Sequence, residues 1–220
     1  MQKKRISFFI LLFCLAPFFL LAQKDTMAIA TLDSISIHAF YGKNLLQTAA
    51  AVNYISSQQL ERFSNRNILQ AVNATPGVRM EERSPGSYRL NIRGSAVRSP
   101  FGVRNVKLYY AGIPFTAPGG ASMLNMIGYY NIGSLEIVKG PGGSVYGAGT
   151  GGVLLMEPSV AKSKFSAGTM GGSFGMMGAH ASFHFNKNTV RYEHLQADGY
   201  RNHTVMRRDN LSWDGTLQSS

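Results

Sequence analysis

The sequence predicts an α+β domain, a mixed sheet with short helices, followed by the first strands of a transmembrane antiparallel β-barrel. Three observations carry that prediction. Residues 1–22 have the layout of an export signal, residues 88–156 are dense in glycine and strand-forming side chains, and residues from 162 onward alternate apolar with polar. A sheet-forming globule between an export signal and alternating strands predicts a stopper lodged inside a tube.

The chain opens with Lys3, Lys4 and Arg5, then an apolar run over 6–21 broken only by Ser7, Cys14 and Pro17, then Ala22-Gln23. Basic, apolar and polar regions in that order make a secretory signal peptide, and Pro17 with no stop-transfer charges argues against a retained anchor. A lipoprotein signal ending at Cys14 is the competing reading. Phe13 is bulky where such a site needs a small residue, and the apolar run continues past the cysteine. Cleavage near Ala22 removes the single cysteine, so sheet hydrogen bonds and packing have to stabilise the exported chain.

Without Lys3, Lys4 and Arg5 the chain keeps 19 basic and 11 acidic residues, a formal charge of +8. The basic residues are spread among glycines and aromatics, with no helix-turn-helix, zinc-finger or aromatic RNA-binding pattern, which excludes nucleic acid as the partner. Twenty-four glycines, 13 phenylalanines and 10 tyrosines favour a β architecture rich in turns. H-E-x-x-H, G-x-S-x-G and P-loop motifs are absent and acids are sparse, so the chain is not read as an enzyme, and no cofactor is expected.

Residues 23–49 form a polar extension holding the alternating segment LDSISIHA at 32–39. Such a segment either donates itself as a strand to another protein's sheet edge or forms the first strand of the following domain. Ser56 and Gln59 then give a capping box, and Asn65 is placed to cap a second helix over 66–73 that ends at Pro76-Gly77. Strands are predicted at 78–82, 88–93, 106–110, 135–138 and 153–156. Two long loops, 94–105 and 115–125, separate them, and long loops on a small rigid domain are where binding resides.

Gly147, Gly149 and Gly152 formally satisfy a dinucleotide fingerprint, but VLLME reads as a strand where that motif needs a helix. No acid lies between Glu157 and Glu193 to take a ribose. These glycines are expected to permit positive φ and close approach to a surrounding wall.

From 162 the period becomes two. Ala179, Ala181, Phe183 and Phe185 alternate with His180, Ser182 and His184; a turn at 186–188 and a second strand over 189–195 follow; Leu211 and Trp213 alternate with Asn210, Ser212 and Asp214. Apolar-out, polar-in segments of about ten residues mark a transmembrane barrel, although a soluble sandwich alternates likewise. The 63 residues after Glu157 give room for about four such strands, and a barrel enclosing a whole domain needs about 22. The chain is therefore expected to be the N-terminal fragment of a longer protein. His180 and His184 sit about 13 Å apart along a strand, too far to share one metal, and read as polar lumen residues.

The ordered motifs PGVR, LNIRG, VKLYYAGIPF and IGSLEIVKGPGGSVYGAGTGGVLLM resemble the plug domain of TonB-dependent outer-membrane receptors. The resemblance divides the chain into a signal peptide (1–22), an extension with a TonB-box-like segment (23–49), a plug (50–157) and the first barrel strands (158–220). It implies active import across the outer membrane of a scarce ligand, a ferric siderophore or other ferric chelate. TonB with its ExbB/ExbD energising complex would be the partner, and outer-membrane lipid would surround the wall. It places the TonB-binding segment at Asp33, Ser34, Ile35, Ser36 and Ile37, which favours the strand-donor reading.

Arg98, Ser99 and Arg104 in the first long loop, with Phe115, Thr116 and Asn125 in the second, are the candidate ligand contacts. No acid lies between Glu82 and Glu136, so these loops suit an anion, unless their cations pair with acids on the wall. Arg93, Glu136 and Lys139 are read as plug–barrel contacts. A passive porin and a surface-binding barrel are the alternatives to an importer; glycan, cobalamin and copper are alternative cargoes, with Met170, Met176 and Met177 the only hint of copper.

Overall fold

The computed structural model describes residues 50–63, 67–96, 102–147 and 149–215. β1 (Ala51–Ile55) leads into helix α1 (Ser57–Phe63) and the short helix α2 (Leu69–Asn73). Then come the hairpin β2 (Val78–Ser84) and β3 (Ser87–Ile92), followed by β4 (Val106–Tyr110), β5 (Ile113–Pro114), β6 (Ile132–Lys139) and β7 (Gly152–Pro158). Five of these make one mixed sheet in the order β1-β6-β7-β4-β5, parallel only between β7 and β4.

The capping box forms as its spacing predicts. The Ser56 amide donates to Gln59 Oε1 at 2.9 Å and the Gln59 amide to Ser56 Oγ at 3.3 Å. The second helix is shorter than expected. It begins at Leu69, whose amide donates to Asn67 Oδ1 at 3.2 Å, while the expected cap, Asn65, lies outside the described residues. Asn73 then ties the helix to the hairpin, accepting from the Met80 amide and donating to its carbonyl.

β6 and β7 run longer than the apolar positions that announced them, because both sheet faces are covered. On one face Leu108, Leu135, Ile137, Leu154 and Met156 pack against Leu60 and Val72 of the helices and Met80, Leu90 and Ile92 of the hairpin. On the other, Val138, Val153 and Leu155 pack with Tyr109 and Tyr146, beside the 3-10 stretch Gly140–Tyr146. The glycine cluster serves this sheet. Gly152 has φ +130° and a Cβ there would strike the Val138 carbonyl oxygen; a Cβ on Gly151 would lie 2.5 Å from Ser95 Oγ. Positive φ is found at Gly147 and Gly152 as expected, but the close neighbours of Gly149 and Gly152 belong to the domain itself and not to a surrounding wall.

Four antiparallel strands follow as a meander: β8 (Phe165–Gly171), β9 (Met177–Phe185), β10 (Asn188–Ala197) and β11 (Met206–Gly215). β9 and β10 join through a tight turn at Asn186, φ +52°. The links over 172–176 and 198–205 are longer and lie at the opposite end of the strands. Register puts Val190 level with Phe183 and Trp213, and Tyr192 level with Ala181 and Leu211, on one exposed face. Thr189, Arg191 and Glu193 occupy the other face, where they are buried. Apolar-out and polar-in is realised over most of β9 and β10, with Leu195 and Ala197 buried on the inner face and Arg207 and Asp209 of β11 on the outer one. No described helix is long and apolar enough to cross a membrane, which says nothing about strands.

Candidate functional site

What covers Glu193 is the segment 124–131, two 3-10 turns (Leu124–Met126 and Tyr129–Asn131) joined at Ile127 and Gly128. Leu124, Ile127 and Tyr129 turn into the domain core, which leaves Asn125, Met126, Tyr130 and Asn131 to meet the strands. The Tyr130 amide donates to Glu193 Oε2 at 3.2 Å, and its ring stacks on His180 with centroids 3.6 Å apart. A Cβ at Gly128 would sit 2.6 Å from the same carboxylate oxygen, so a larger residue there would displace the Glu193 carboxylate from its present position. Asn131 Nδ2 donates to Asn210 Oδ1 at 2.7 Å while its Oδ1 accepts from Ser212 Oγ at 2.8 Å. Asn210 Nδ2 donates to the Met126 carbonyl, and Arg208 Nη1 to the Asn125 carbonyl at 3.0 Å.

A second polar cluster closes the seam nearer the tight-turn end. Arg191 donates to Asp214 and to the Ser159 carbonyl, in the link between β7 and β8. Tyr110 of the domain approaches the same carboxylate. Burial first, and then the Asp214 charge, push its hydroxyl up to about 12. Alternation along 189–195 and 210–214 already sets these wall side chains inward. Their partners lie dozens of residues away, and sequence reading named none of Tyr130, Asn131, Arg191, Glu193 or Arg208 as seam residues.

Above the seam, at the end of the strands that carries the longer links, an open concavity of about 460 Å³ lies between the β2–β3 turn and the two loops. Arg104 and Asn125 line it with Pro85, Gly86, Tyr88 and Met123. Gly86 and Met206 mark where it meets the wall, a Cβ at Gly86 lying 3.5 Å from Met206 Cγ. Arg104 is exposed there.

Phe115 and Thr116 do not line it. Phe115 packs against the core and edges onto Tyr110, and Thr116 Oγ1 accepts from the Leu108 amide and pairs with Ser122 Oγ at 2.8 Å, so both hold the second loop onto β4. Arg98, Ser99 and the segment Asp33, Ser34, Ile35, Ser36 and Ile37 lie outside the described residues.

Arg93 and Lys139 come together at the Pro76-Gly77 turn. Lys139 Nζ donates to the Pro76 carbonyl at 2.5 Å and the Arg93 amide to the Gly77 carbonyl at 2.9 Å. Burial, then the Arg93 charge, hold the Lys139 ammonium below the ordinary lysine range. Glu136 is fully enclosed on β6, three positions before Lys139 and so on the opposite sheet face. The described residues contain no group of three or more His, Cys, Asp or Glu side chains able to hold a metal.

These features agree with comparisons to known proteins. A family model described as TonB-dependent Receptor Plug Domain matches residues 44–153, half of the chain. Over 123 residues the chain is 24% identical to the Vitamin B12 transporter BtuB of Vibrio vulnificus (strain CMCP6), covering 54% of this chain and 19% of that protein. Among solved structures it is similar to the siderophore receptor PirA from Pseudomonas aeruginosa, with 18% identity and a TM-score of 0.48 over 74% of this chain and 31% of that one. The ferric yersiniabactin uptake receptor FyuA from Yersinia pestis gives 15% identity and a TM-score of 0.45, over 67% and 24%. The chain thus spans a fifth to a third of the length of these relatives. It belongs to the TonB-dependent receptor plug-domain family.

Proposed function

We propose that this chain is the plug and first wall strands of an outer-membrane importer, exported through a cleaved signal at 1–22. It takes up a scarce anionic ligand, a ferric siderophore or other ferric chelate, and is driven by TonB with ExbB/ExbD. The observation that carries this reading is the concavity at the loop end. It places the exposed guanidinium of Arg104 and the Asn125 side of the seam on one surface, beside a wall seated on the plug's flank. A guanidinium recognises the oxygens of an anion through charge-assisted hydrogen bonds. Arg98 and Ser99, in the same loop as Arg104, complete the proposed ligand contacts, and Phe115 and Thr116 support the second loop from behind.

Asp33, Ser34, Ile35, Ser36 and Ile37 are the proposed TonB-binding strand. Backbone pairing bears load along a strand while demanding little of its side chains. Arg93, exposed, is proposed to face parts of the wall other than β8–β11; Glu136, fully enclosed, and Lys139, buried and bonded to the Pro76 carbonyl, act inside the plug instead. Deleting 33–37 from the complete receptor is expected to abolish uptake and leave ligand binding intact; undiminished uptake rejects the importer reading. Arg98→Gln with Arg104→Gln is expected to weaken binding of a ferric chelate about tenfold or more, and unchanged affinity assigns both cations to the wall.

A corrinoid is the second reading, carried by the match to a vitamin B12 transporter. Equilibrium binding of ferric citrate and of cyanocobalamin to the same receptor separates the two.

A further inference from the structure

The ion pair between Arg208 and Glu193 reaches both ends of the segment that seats the plug on the wall. Arg208 Nη2 donates to Glu193 Oε1 at 2.7 Å, and Glu193 is 3% exposed. From this pair one arm, Arg208 Nη1, holds the Asn125 carbonyl, and the other, Glu193 Oε2, holds the Tyr130 amide. Asn125 also lines the concavity. Arg208 stands just behind that surface, lining a small cleft with Tyr88 and Leu124, two residues that line the concavity as well. Its Nε is buried with no partner among the described residues.

A guanidinium with an idle buried donor, bonded on one side to a neutral carbonyl, is poised for exchange. An anion entering beside it offers a fully charged acceptor, and room for a bidentate pair, in place of the neutral Asn125 carbonyl. We propose that Arg208 is a positioning residue that trades the Asn125 carbonyl for an anionic ligand in the concavity, and so loosens the wall's grip on residues 125–130. This rests on the reading of the concavity as the ligand site. Loss of the Asn125 arm frees the first turn of the segment, and rotation of the guanidinium shifts Glu193, which weakens the Tyr130 arm. Met126, whose carbonyl is held by Asn210, follows. Occupancy above is thereby converted into looseness at the flank.

The test measures amide hydrogen exchange over 124–131 in the complete receptor in lipid nanodiscs, with ferric citrate as the anionic probe, cyanocobalamin as the uncharged one, and binding followed separately by calorimetry. In the wild-type receptor, bound ferric citrate is expected to speed exchange in this segment about tenfold or more, the loss of one charge-assisted bond. Cyanocobalamin is expected to leave exchange unchanged. The double variant Glu193→Gln with Arg208→Gln removes both charges without stranding either one. It should exchange fast in the empty receptor and show no response to the probe. Ferric citrate that binds without altering exchange, or a double variant that still responds, overturns the switch while leaving the ligand reading standing. Failure of ferric citrate to bind overturns the anionic-ligand reading and the switch with it.

Discussion

The plug's interior and the plug's flank are both buried, yet they are built from opposite materials. The interior joins Leu108, Leu135, Ile137, Leu154 and Met156 to the helices and hairpin, and these side chains are at most 1% exposed. The flank meets the wall through Tyr130, Asn131, Arg191, Glu193, Arg208, Asn210, Ser212 and Asp214, nearly all of them joined by hydrogen bonds or ion pairs. Separating the interior exposes hydrocarbon, at about 25 cal/mol for each Å². Separating the flank exposes groups that water satisfies almost as well as their present partners, so the net loss per hydrogen bond is about 1 kcal/mol. The domain is therefore expected to hold its own shape more firmly than it holds the wall. In the importer proposed above that is the useful order, because the stopper can shift at its flank while keeping its own fold.

Substitutions can break or sharpen this contrast. The largest effect is expected from Leu154→Ala, which empties a fully enclosed position at the centre of the sheet and should destabilise the plug by about 4 kcal/mol. Limited proteolysis of the complete receptor should then cut within 50–157 while amide protection on β10 and β11 persists. If both regions loosen together, interior and flank are one cooperative unit.

Next is Arg191→Ala. It leaves Asp214 without its cation and strips the Ser159 carbonyl of a donor, an expected loss of about 3 kcal/mol confined to the seam. Exchange should rise at 159–162 and 214, with the β6–β7 pairing untouched; a change in β6 sinks the separation of seam from core.

Asn131→Ala comes third, at about 2 kcal/mol, for its two side-chain bonds to Asn210 and Ser212. Pairing it with Asn210→Ala should cost less than the sum of the two, since both remove the Asn131–Asn210 bond, while Asn210→Ala also frees the Met126 carbonyl. Full additivity in that double-mutant cycle means the two side chains act independently.

The smallest effect concerns pH. The Tyr110 hydroxyl, pushed from 10 up to about 12, stays neutral in the folded protein at pH values where an unfolded tyrosine ionises. Its contribution is fully present below pH 10 and declines as pH rises from 10 towards 12. Tyr110→Phe should flatten the alkaline decline in thermal stability between those values. An identical profile places the titration elsewhere.

The elements that announce themselves in the sequence are those whose side chains obey a period. The capping box at Ser56 and Gln59 appears as read, and the alternation predicts the faces of β9 over 179–185 and of β10 over 189–193, failing at His194 and Leu195, where the polar residue faces out and the apolar one in. The start of α2 lies later than the sequence predicts because Asn67, two residues before it, bonds the Leu69 amide through its side chain. The seam was invisible for a different reason. Residues 124–131 form 3-10 turns too short for a hydrophobic period, and their partners lie 63–84 residues further along. Of the candidate ligand contacts, Arg104 and Asn125 meet in one concavity. Phe115 and Thr116, equally plausible as loop residues, turn inward because β4 has backbone and apolar surface for them to satisfy.

Asn131 also has a second role through its backbone. Its carbonyl oxygen accepts from the Ser159 amide at 2.8 Å, where the chain leaves the plug, and from the Tyr110 hydroxyl on β4, while its amide side chain faces β11. Three bodies, the sheet, the exit strand and the wall, thus take their bearings from a single 5%-exposed residue, as surveyors fix lines on one trig pillar. Displacing that residue by an ångström would register in all three at once, which makes it the natural position for a spectroscopic label that reports which body moves first.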